Sequence, residues 1–299
     1  MGSSAARREL ALIGITLLWA GTFLLIKRAL PYCDPIAFVT LRFSVATVAA
    51  VLLWRSSLGQ LWNRNVWRHG VILGVGYAIG FYLQAWGLQY TTIARSAFFT
   101  GTFVVFVPLL QRLIWRKHPT AREWWGMVLG TAGIGLLASP EAGSLNIGDI
   151  ATLVSALAWS FYMGYMSYAG IEQLGTIGTG MLVVLQCGVT AAIGGVVFAI
   201  RGAQASTVVP IAWNVDVIIA LLYTSILASV VATYMQTRVQ PGVSAARVAL
   251  IFALEPVFAT FLGMLAQGER LRNAEVLGAV LIIVAAILPS LTLIRQSRQ

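Results

Sequence analysis

The sequence predicts an all-α polytopic membrane protein, with ten transmembrane helices arranged as two inverted five-helix repeats around a central cavity. Three observations predict it. First, 59% of the 299 residues are hydrophobic and only 10% are charged, where an average soluble domain has roughly 45–50% and 25%; mean hydropathy is +0.83. Second, the charges fall between apolar runs long enough to cross a bilayer. Third, one half of the chain superposes on the other at a constant offset. A soluble core of this size cannot hide so much apolar side chain, so lipid is the natural solvent. Ten spans of about 20 residues use about 200 of the chain. The remaining residues, about 100, serve loops and tails and leave no room for a folded extramembrane domain of ordinary size.

The runs follow one another in order. Leu10 to Ile26 lies between Arg7-Arg8 and Lys27-Arg28, and with no Ala-x-Ala-like cleavage site it is expected as an uncleaved first helix. Pro31 and Pro35 break the chain before the second run, Pro35 to Trp54. The third is Gly70 to Tyr90, and the fourth, Ala94 to Trp115, is stopped before Pro119. Trp124 to Ala138 precedes Pro140 and Gly143, and Ile150 to Tyr168 precedes Gly170. Thr176 to Ile200 precedes Gly202 and Pro210, and Val217 to Arg238 precedes Pro241-Gly242. Ser244 to Gln267 and Ala274 to Ile294 complete the ten. Such breakers mark short connections, which make sequential helices antiparallel.

The formal net charge is +10. A basic nucleic-acid-binding face is excluded by its distribution, because Lys and Arg are scattered through the connections. An even number of spans puts both termini on one side. That side would hold Arg7, Arg8, Arg55, Arg64, Arg68, Arg112, Arg116, Lys117, Arg122, Arg238, Arg247, Arg295 and Arg298, and the other chiefly Lys27, Arg28, Arg95, Arg201, Arg270 and Arg272. Both termini are therefore expected in the cytoplasm, with the bias weaker in the second half. Cys33 and Cys187 suggest neither a disulfide framework nor a metal site, and no metal or cofactor is expected.

An offset of 152 residues superposes helices three to five on helices eight to ten without a gap. Tyr82 meets Tyr234, Gln84 meets Gln236, Ala94-Arg95 meets Ala246-Arg247, Glu123 meets Glu275 and Gly126 meets Gly278. Apolar identities come cheaply between membrane helices, so these polar and glycine matches carry the weight. A weaker echo at a different offset pairs Trp19 with Trp159. Five is an odd number, so the second copy must enter the membrane from the opposite side. The expected repeats are residues 1–140 and 147–295, with a tail at 296–299. Inverted repeats are typical of secondary transporters, because the two halves can exchange roles between outward-open and inward-open states.

The residues resemble the drug/metabolite transporter superfamily, in its ten-helix, two-repeat branch. The first half carries Trp19 with Lys27, Asp34-Pro35 with Arg42, and Gly87-Leu88-Gln89-Tyr90-Thr91-Thr92 leading into Ala94-Arg95-Ser96-Ala97. The second carries Glu255-Pro256-Val257-Phe258, Gly268-Glu269-Arg270-Leu271 and Gly278. The first repeat departs from the pattern at Lys117, where the family often has Glu. Within the superfamily the chain is similar to bacterial inner-membrane exporters of aromatic and other amino acids. The resemblance implies a cavity lined by helices one, three, four, six, eight and nine, open to each side in turn. It also implies substrates drawn from amino acids, drugs and other metabolites.

Residues that would be costly against lipid are the candidates for that cavity. Tyr82 and Gln84, with Tyr234 and Gln236, carry a hydroxyl and an amide that must face the interior, where they would hold an amino-acid head group. Trp19, Trp86, Phe98, Phe99 and Trp159 add aromatic surface for the side chain; lipid-facing or packing roles account for such residues equally well. Arg42 and Glu255 are charged groups within spans. Glu255, just before Pro256, reads as a proton or cation site or as a buried partner of an arginine; Arg42 reads as an ion-pair or snorkelling residue. Arg95 and Arg247 start helices four and nine at matching positions, so they either guard opposite mouths or anchor at the interface. Gly70-xxx-Gly74, Gly76-xxx-Gly80 and Gly126-xxx-Gly130 allow close helix contact. Gly130-x-x-Gly133-x-Gly135 is no phosphate loop, since no Gly-Lys-Ser/Thr follows.

Two other classes compete. An enzyme needs a nucleophile with a base, or paired Asp, at membrane depth. His69 and His118 are expected in loops and Asp34, Asp149 and Asp216 at helix ends. A channel needs a filter or a ring of like residues, which one copy of each half does not supply. The expectation is therefore a monomeric carrier of small metabolites, most of all amino acids, working by alternating access in the export direction.

Overall fold

Among the residues that the computed structural model describes, 2–138, 144–204, 211–267 and 271–290, every regular element is helical. The expected connections at Pro140, Gly143 and Pro210, the motif Gly268-Glu269-Arg270 and the tail at 296–299 lie outside them. Along the chain run α1 (Gly2–Ala29), α2 (Pro35–Leu53), α3 (Arg64–Gly87), α4 (Ile93–Gly101), α5 (Phe103–Leu113), α6 (Ala121–Ala138), α7 (Ile147–Tyr168), α8 (Gly175–Gln204), α9 (Val215–Leu222), a π-helical segment (Tyr223–Val231), α10 (Ala232–Val239), α11 (Ala245–Phe252), α12 (Glu255–Gln267) and α13 (Asn273–Ile287). They form ten consecutive segments, because α4 continues into α5, α9 runs through the π segment into α10, and α11 continues into α12. Eight are long and apolar enough to cross a membrane. The other two are α6, with Arg122 and Glu123 in its first turn, and α13, of fifteen residues.

Capping explains where several helices begin. Asp34 accepts the Ala37 N–H at 2.9 Å with Pro35 at the first helical position, where a missing N–H costs nothing. Asn63 accepts from Asn65 and Val66 at 2.9 and 3.4 Å, so α3 starts at Arg64 and carries His69 within it, not in a loop. The amphipathic first turns are helical because the cap and not the apolar run sets the boundary. Asn146 and Asp149 form a reciprocal capping box that starts α7 at Ile147. The first helix likewise begins before Leu10. Its polar turn is tied down by Arg8, whose Nη1 donates to the Pro241 carbonyl at 2.8 Å, and by an ion pair from Glu9 to Arg247.

Interruptions fall at matching places in the two repeats. α4 gives way to α5 at Thr102, and α11 gives way to α12 at Ala253 and Leu254, one repeat offset away. Thr102 turns its hydroxyl back onto the Phe99 carbonyl, a bond that bends helices. In the second copy Pro256 stands in the first turn of α12, the place in a helix that tolerates proline.

Glycines set the closest approaches. On α3, Gly70 and Gly74 face Leu185 and Val189 of α8, while Gly76 and Gly80 face Tyr162 and Trp159 of α7. One helix thus carries two small-residue seams for two neighbours. Between α6 and α13, a Cβ on Gly133 would lie 2.7 Å from the Gly278 carbonyl oxygen, and one on Gly126 would lie 3.0 Å from that of Ala285. Residues 126 and 278 are repeat equivalents, as are 133 and 285. The two contacts are therefore one contact seen from both ends, and α6 and α13 are antiparallel mates about the axis that relates the repeats. Large apolar side chains such as Leu52, Leu113 and Leu265 point outward and are 65–75% exposed, as a lipid-facing surface requires.

Candidate functional site

The centre of the bundle is built around Arg42, seven residues into α2 and only 4% exposed. Its Nε donates to Ser229 Oγ of the π segment at 2.9 Å. Its guanidinium carbon lies 5.1 Å from the ring centroid of Phe43 and 4.8 Å from that of Phe81, so two aromatic faces supply cation–π attraction where water is scarce. Glu255, the first residue of α12, acts on this guanidinium electrostatically. Among the described residues, the terminal nitrogens of Arg42 have no hydrogen-bond partner. A guanidinium held by its Nε and its two faces is fixed in orientation, with its terminal nitrogens still able to donate.

Tyr77 stands beside it. Its hydroxyl pairs with Thr233 Oγ1 at 3.0 Å, and its ring meets Phe43, Phe81, Trp159 and Tyr162 at centroid distances of 4.8–5.4 Å. Tyr162 donates to Gln186 Oε1 at 2.7 Å. Trp19 closes the other side, with Nε1 donating to the Ala228 carbonyl at 3.0 Å and its ring edge-on to Phe252 at 4.9 Å. Positions 77 and 81 of the first repeat are equivalent to 229 and 233 of the second. All four meet here, so the repeat axis passes through the site.

The expected residues divide into two groups. Trp19, Trp159, Arg42 and Glu255 belong to this centre. The others are engaged elsewhere. Tyr82 shares a hydrogen bond with Thr40 at 3.1 Å and donates to the Thr190 carbonyl at 3.3 Å. Gln84 donates to Thr100 at 2.9 Å. Gln236 donates to Gln240 at 2.7 Å, and Gln240 donates in turn to the Met163 carbonyl and Ser167. Trp86 packs on Tyr90, Phe98 on Phe99, and Tyr234 on Trp54, with centroids 5.0–5.4 Å apart. Arg95 forks onto Asp149, with Nε 3.1 Å from Oδ1 and Nη2 on Oδ2, and Nη2 also reaches the Ser144 carbonyl at 3.1 Å. Arg247 pairs with Glu9. The lining helices accordingly include α2, which contributes Arg42 and Phe43, in addition to α1, α3, α7, the π segment and the α11–α12 junction.

The profile of the EamA-like transporter family matches residues 7–139 and again residues 146–291. The chain belongs to the EamA-like transporter family. This family lies within the drug/metabolite transporter superfamily, and the double match is its two-repeat architecture. An "uncharacterized transporter" of Archaeoglobus fulgidus is 29% identical over 95% of this chain and 85% of its own length. The Bacillus subtilis "uncharacterized transporter YoaV" is 22% identical over 96% and 98%. The Escherichia coli K12 "uncharacterized inner membrane transporter YedA" is 26% identical over 94% and 90%. A solved structure titled "Crystal structure of protein" shares the fold with a TM-score of 0.75 at 21% identity, covering 98% of this chain and 99% of that one. The protein is thus a multi-pass membrane transporter of small molecules and not an enzyme.

In this EamA-like chain the residues that sequence reasoning missed are Phe43, Tyr77, Phe81, Ser229 and Thr233. Identities at the repeat offset do not mark the axis site, because it pairs unlike residues, Tyr77 with Ser229 and Phe81 with Thr233. The available signal was small hydroxyls in one copy opposite aromatic rings in the other, since one ring and one hydroxyl fit side by side where two rings would clash.

Proposed function

We propose that the protein carries amino acids, including aromatic ones, across the bacterial inner membrane by alternating access in the export direction. The observation that supports this reading is the Arg42 guanidinium, buried and clamped with its terminal fork unpartnered among the described residues, with Glu255 acting on it electrostatically. A bidentate fork suits a carboxylate and a half-buried carboxylate such as Glu255 suits an ammonium, so the two residues match a zwitterionic head group. The rings of Trp19, Phe81 and Trp159 offer the apolar surface for a side chain. In this reading residues 1–140 and 147–295 are the halves that rock about the site, both termini are cytoplasmic and the working unit is a monomer.

The test is uptake into proteoliposomes with a panel of amino acids and unrelated cations, with and without a pH gradient. Saturable uptake of amino acids with counterflow of labelled substrate is expected, and a channel gives neither saturation nor counterflow. Uptake of organic cations in preference to zwitterions would reject the amino-acid assignment.

A further inference from the structure

Arg95 and Arg247 are equivalent through the offset of 152 residues, and their partners are equivalent too. Glu9 and Asp149 are separated by 140 residues, the offset that also brings Trp19 onto Trp159. Each arginine holds a carboxylate of the opposite repeat: Arg95 of the first holds Asp149 of the second, and Arg247 of the second holds Glu9 of the first. The two ion pairs are therefore one device, copied by the pseudo-two-fold. Three helical segments, α1 to α3, separate Glu9 from Arg95, so the copies lie at opposite ends of the bundle.

Both pairs join elements that must part if a mouth is to open. The Arg95 pair ties the start of α4 to the start of α7, with Thr91 donating to Asp149 at 2.6 Å beside it. The Arg247 pair ties the start of α11 to α1, next to the bond from Arg8 to the Pro241 carbonyl. Side-chain exposure is 10% for Arg95, 0% for Asp149, 14% for Arg247 and 15% for Glu9. At this burial, losing one partner leaves an uncompensated charge, so neither pair is a weak surface contact.

We propose that Arg95–Asp149 and Arg247–Glu9 are the two gates of the carrier, one at each membrane face, and that transport breaks one while the other holds. The proposal rests on the alternating-access reading and is independent of the cargo. Static clamps would act differently: removing either would loosen the fold without favouring a face.

The test uses the full chain with Cys33→Ser and Cys187→Ser and a reporter cysteine at Ser229→Cys in the centre, in right-side-out and inverted vesicles from a bacterial host. A membrane-impermeant maleimide is applied from each side and the ratio of the two labelling rates is read. Arg95→Gln is expected to raise labelling from the face bearing residues 87–93 by about 5-fold or more relative to the other face. Arg247→Gln is expected to shift the ratio the opposite way, and the double variant to return it towards its starting value. Asp149→Asn and Glu9→Gln remove the same pairs from the other side and should reproduce the two shifts. Shifts in the same direction, an unchanged ratio in all four variants, or loss of folded protein in both variants of one pair would overturn the gate assignment. Labelling reads conformation, so failure to take up amino acids would bear on the substrate reading alone.

Discussion

Arg42 is set apart at the centre of the bundle by what it lacks. Ser229 satisfies its Nε and two rings cover its faces, yet its terminal nitrogens have no partner among the described residues. Removing the partner of a charged group in such a site costs about 2–5 kcal/mol. Arg42→Gln is thus expected to raise KM for an amino acid by roughly 30-fold or more, with the protein still monodisperse. Arg42→Lys, which keeps the charge and loses the fork, should fall between. Tyr82 supplies the contrast. Its hydroxyl is already bonded to Thr40 and Thr190, so Tyr82→Phe should cost about 1 kcal/mol of stability, read as a lower Tm, and leave KM unchanged. Cys33, in the connection between α1 and α2, donates its Sγ–H to the Ala29 carbonyl and is 5% exposed. Burial, aided by the Asp34 charge, disfavours the thiolate and pushes its pKa up to about 11. A raised thiol pKa means less nucleophile at neutral pH, on the order of 1 in 10,000 at pH 7. Maleimide labelling of Cys33 should therefore be slow at pH 7 and rise about tenfold per pH unit as the thiolate fraction grows.

At the scale of elements, the seam between α6 and α13 is a place where two helices meet through backbone, as the end of α3 and the start of α7 also do at Gly87 and Gly148. A Cβ on Gly133 or Gly278 would lie 2.7 Å from the other's carbonyl oxygen, whereas one on Gly135 would meet only a Phe98 ring carbon at 3.6 Å. Gly133→Val and Gly278→Val are expected to destabilise by about 1–3 kcal/mol through overpacking, and Gly135→Ala to be nearly neutral; thermal unfolding in detergent measures all three. The same seam shows what the sequence made legible. The match of Gly126 with Gly278 announced the repeat, but not that Gly126 would meet Ala285 and Gly133 meet Gly278 across the axis, because self-similarity reports equivalence and not contact. Helix existence followed from apolar runs, and the starts of α3 and α7 did not, since Asn63 and Asn146 act through side-chain bonds outside those runs. The breaks in the fourth and ninth segments were hidden because a bent helix and a straight one have equal hydropathy. Glu9 carries no signal in the sequence, since its carboxylate takes on meaning only when Arg247, far along the chain, lies against it.

For the whole molecule, symmetry is kept in one set of charges and lost in another. The gate pairs recur in both repeats, while Arg42 is matched by Leu182 and Glu255 by Phe103. Among the described residues Arg42 stands at the axis with no charged repeat equivalent and Glu255 acts on it electrostatically, an asymmetry that suits the zwitterion proposed as substrate. If Glu255 also carries the coupling proton, Glu255→Gln should abolish uptake driven by a pH gradient and spare exchange of internal for external substrate. Equal loss of both would assign the residue to structure alone. The gate copies differ in quality: Arg95 forks onto Asp149, whereas Nη2 of Arg247 is buried with no hydrogen-bond partner. The Arg247 end is therefore expected to open first in the empty carrier, which the labelling ratio of the unmodified reporter protein measures.

The α6–α13 seam lies on the axis that relates the repeats. Exchanging the two helices maps the Gly133–Gly278 contact onto the Gly126–Ala285 contact, with Ala285 in the place of Gly133. One end of the seam is a pair of glycines and the other a glycine against an alanine, so under the proposed alternating-access cycle a tilt one way is not the energetic twin of a tilt the other way. Such asymmetry changes which state the empty carrier prefers and how fast it turns over; the direction of net flow comes from the gradients on either side alone, and a reversed gradient should run the same cycle backwards.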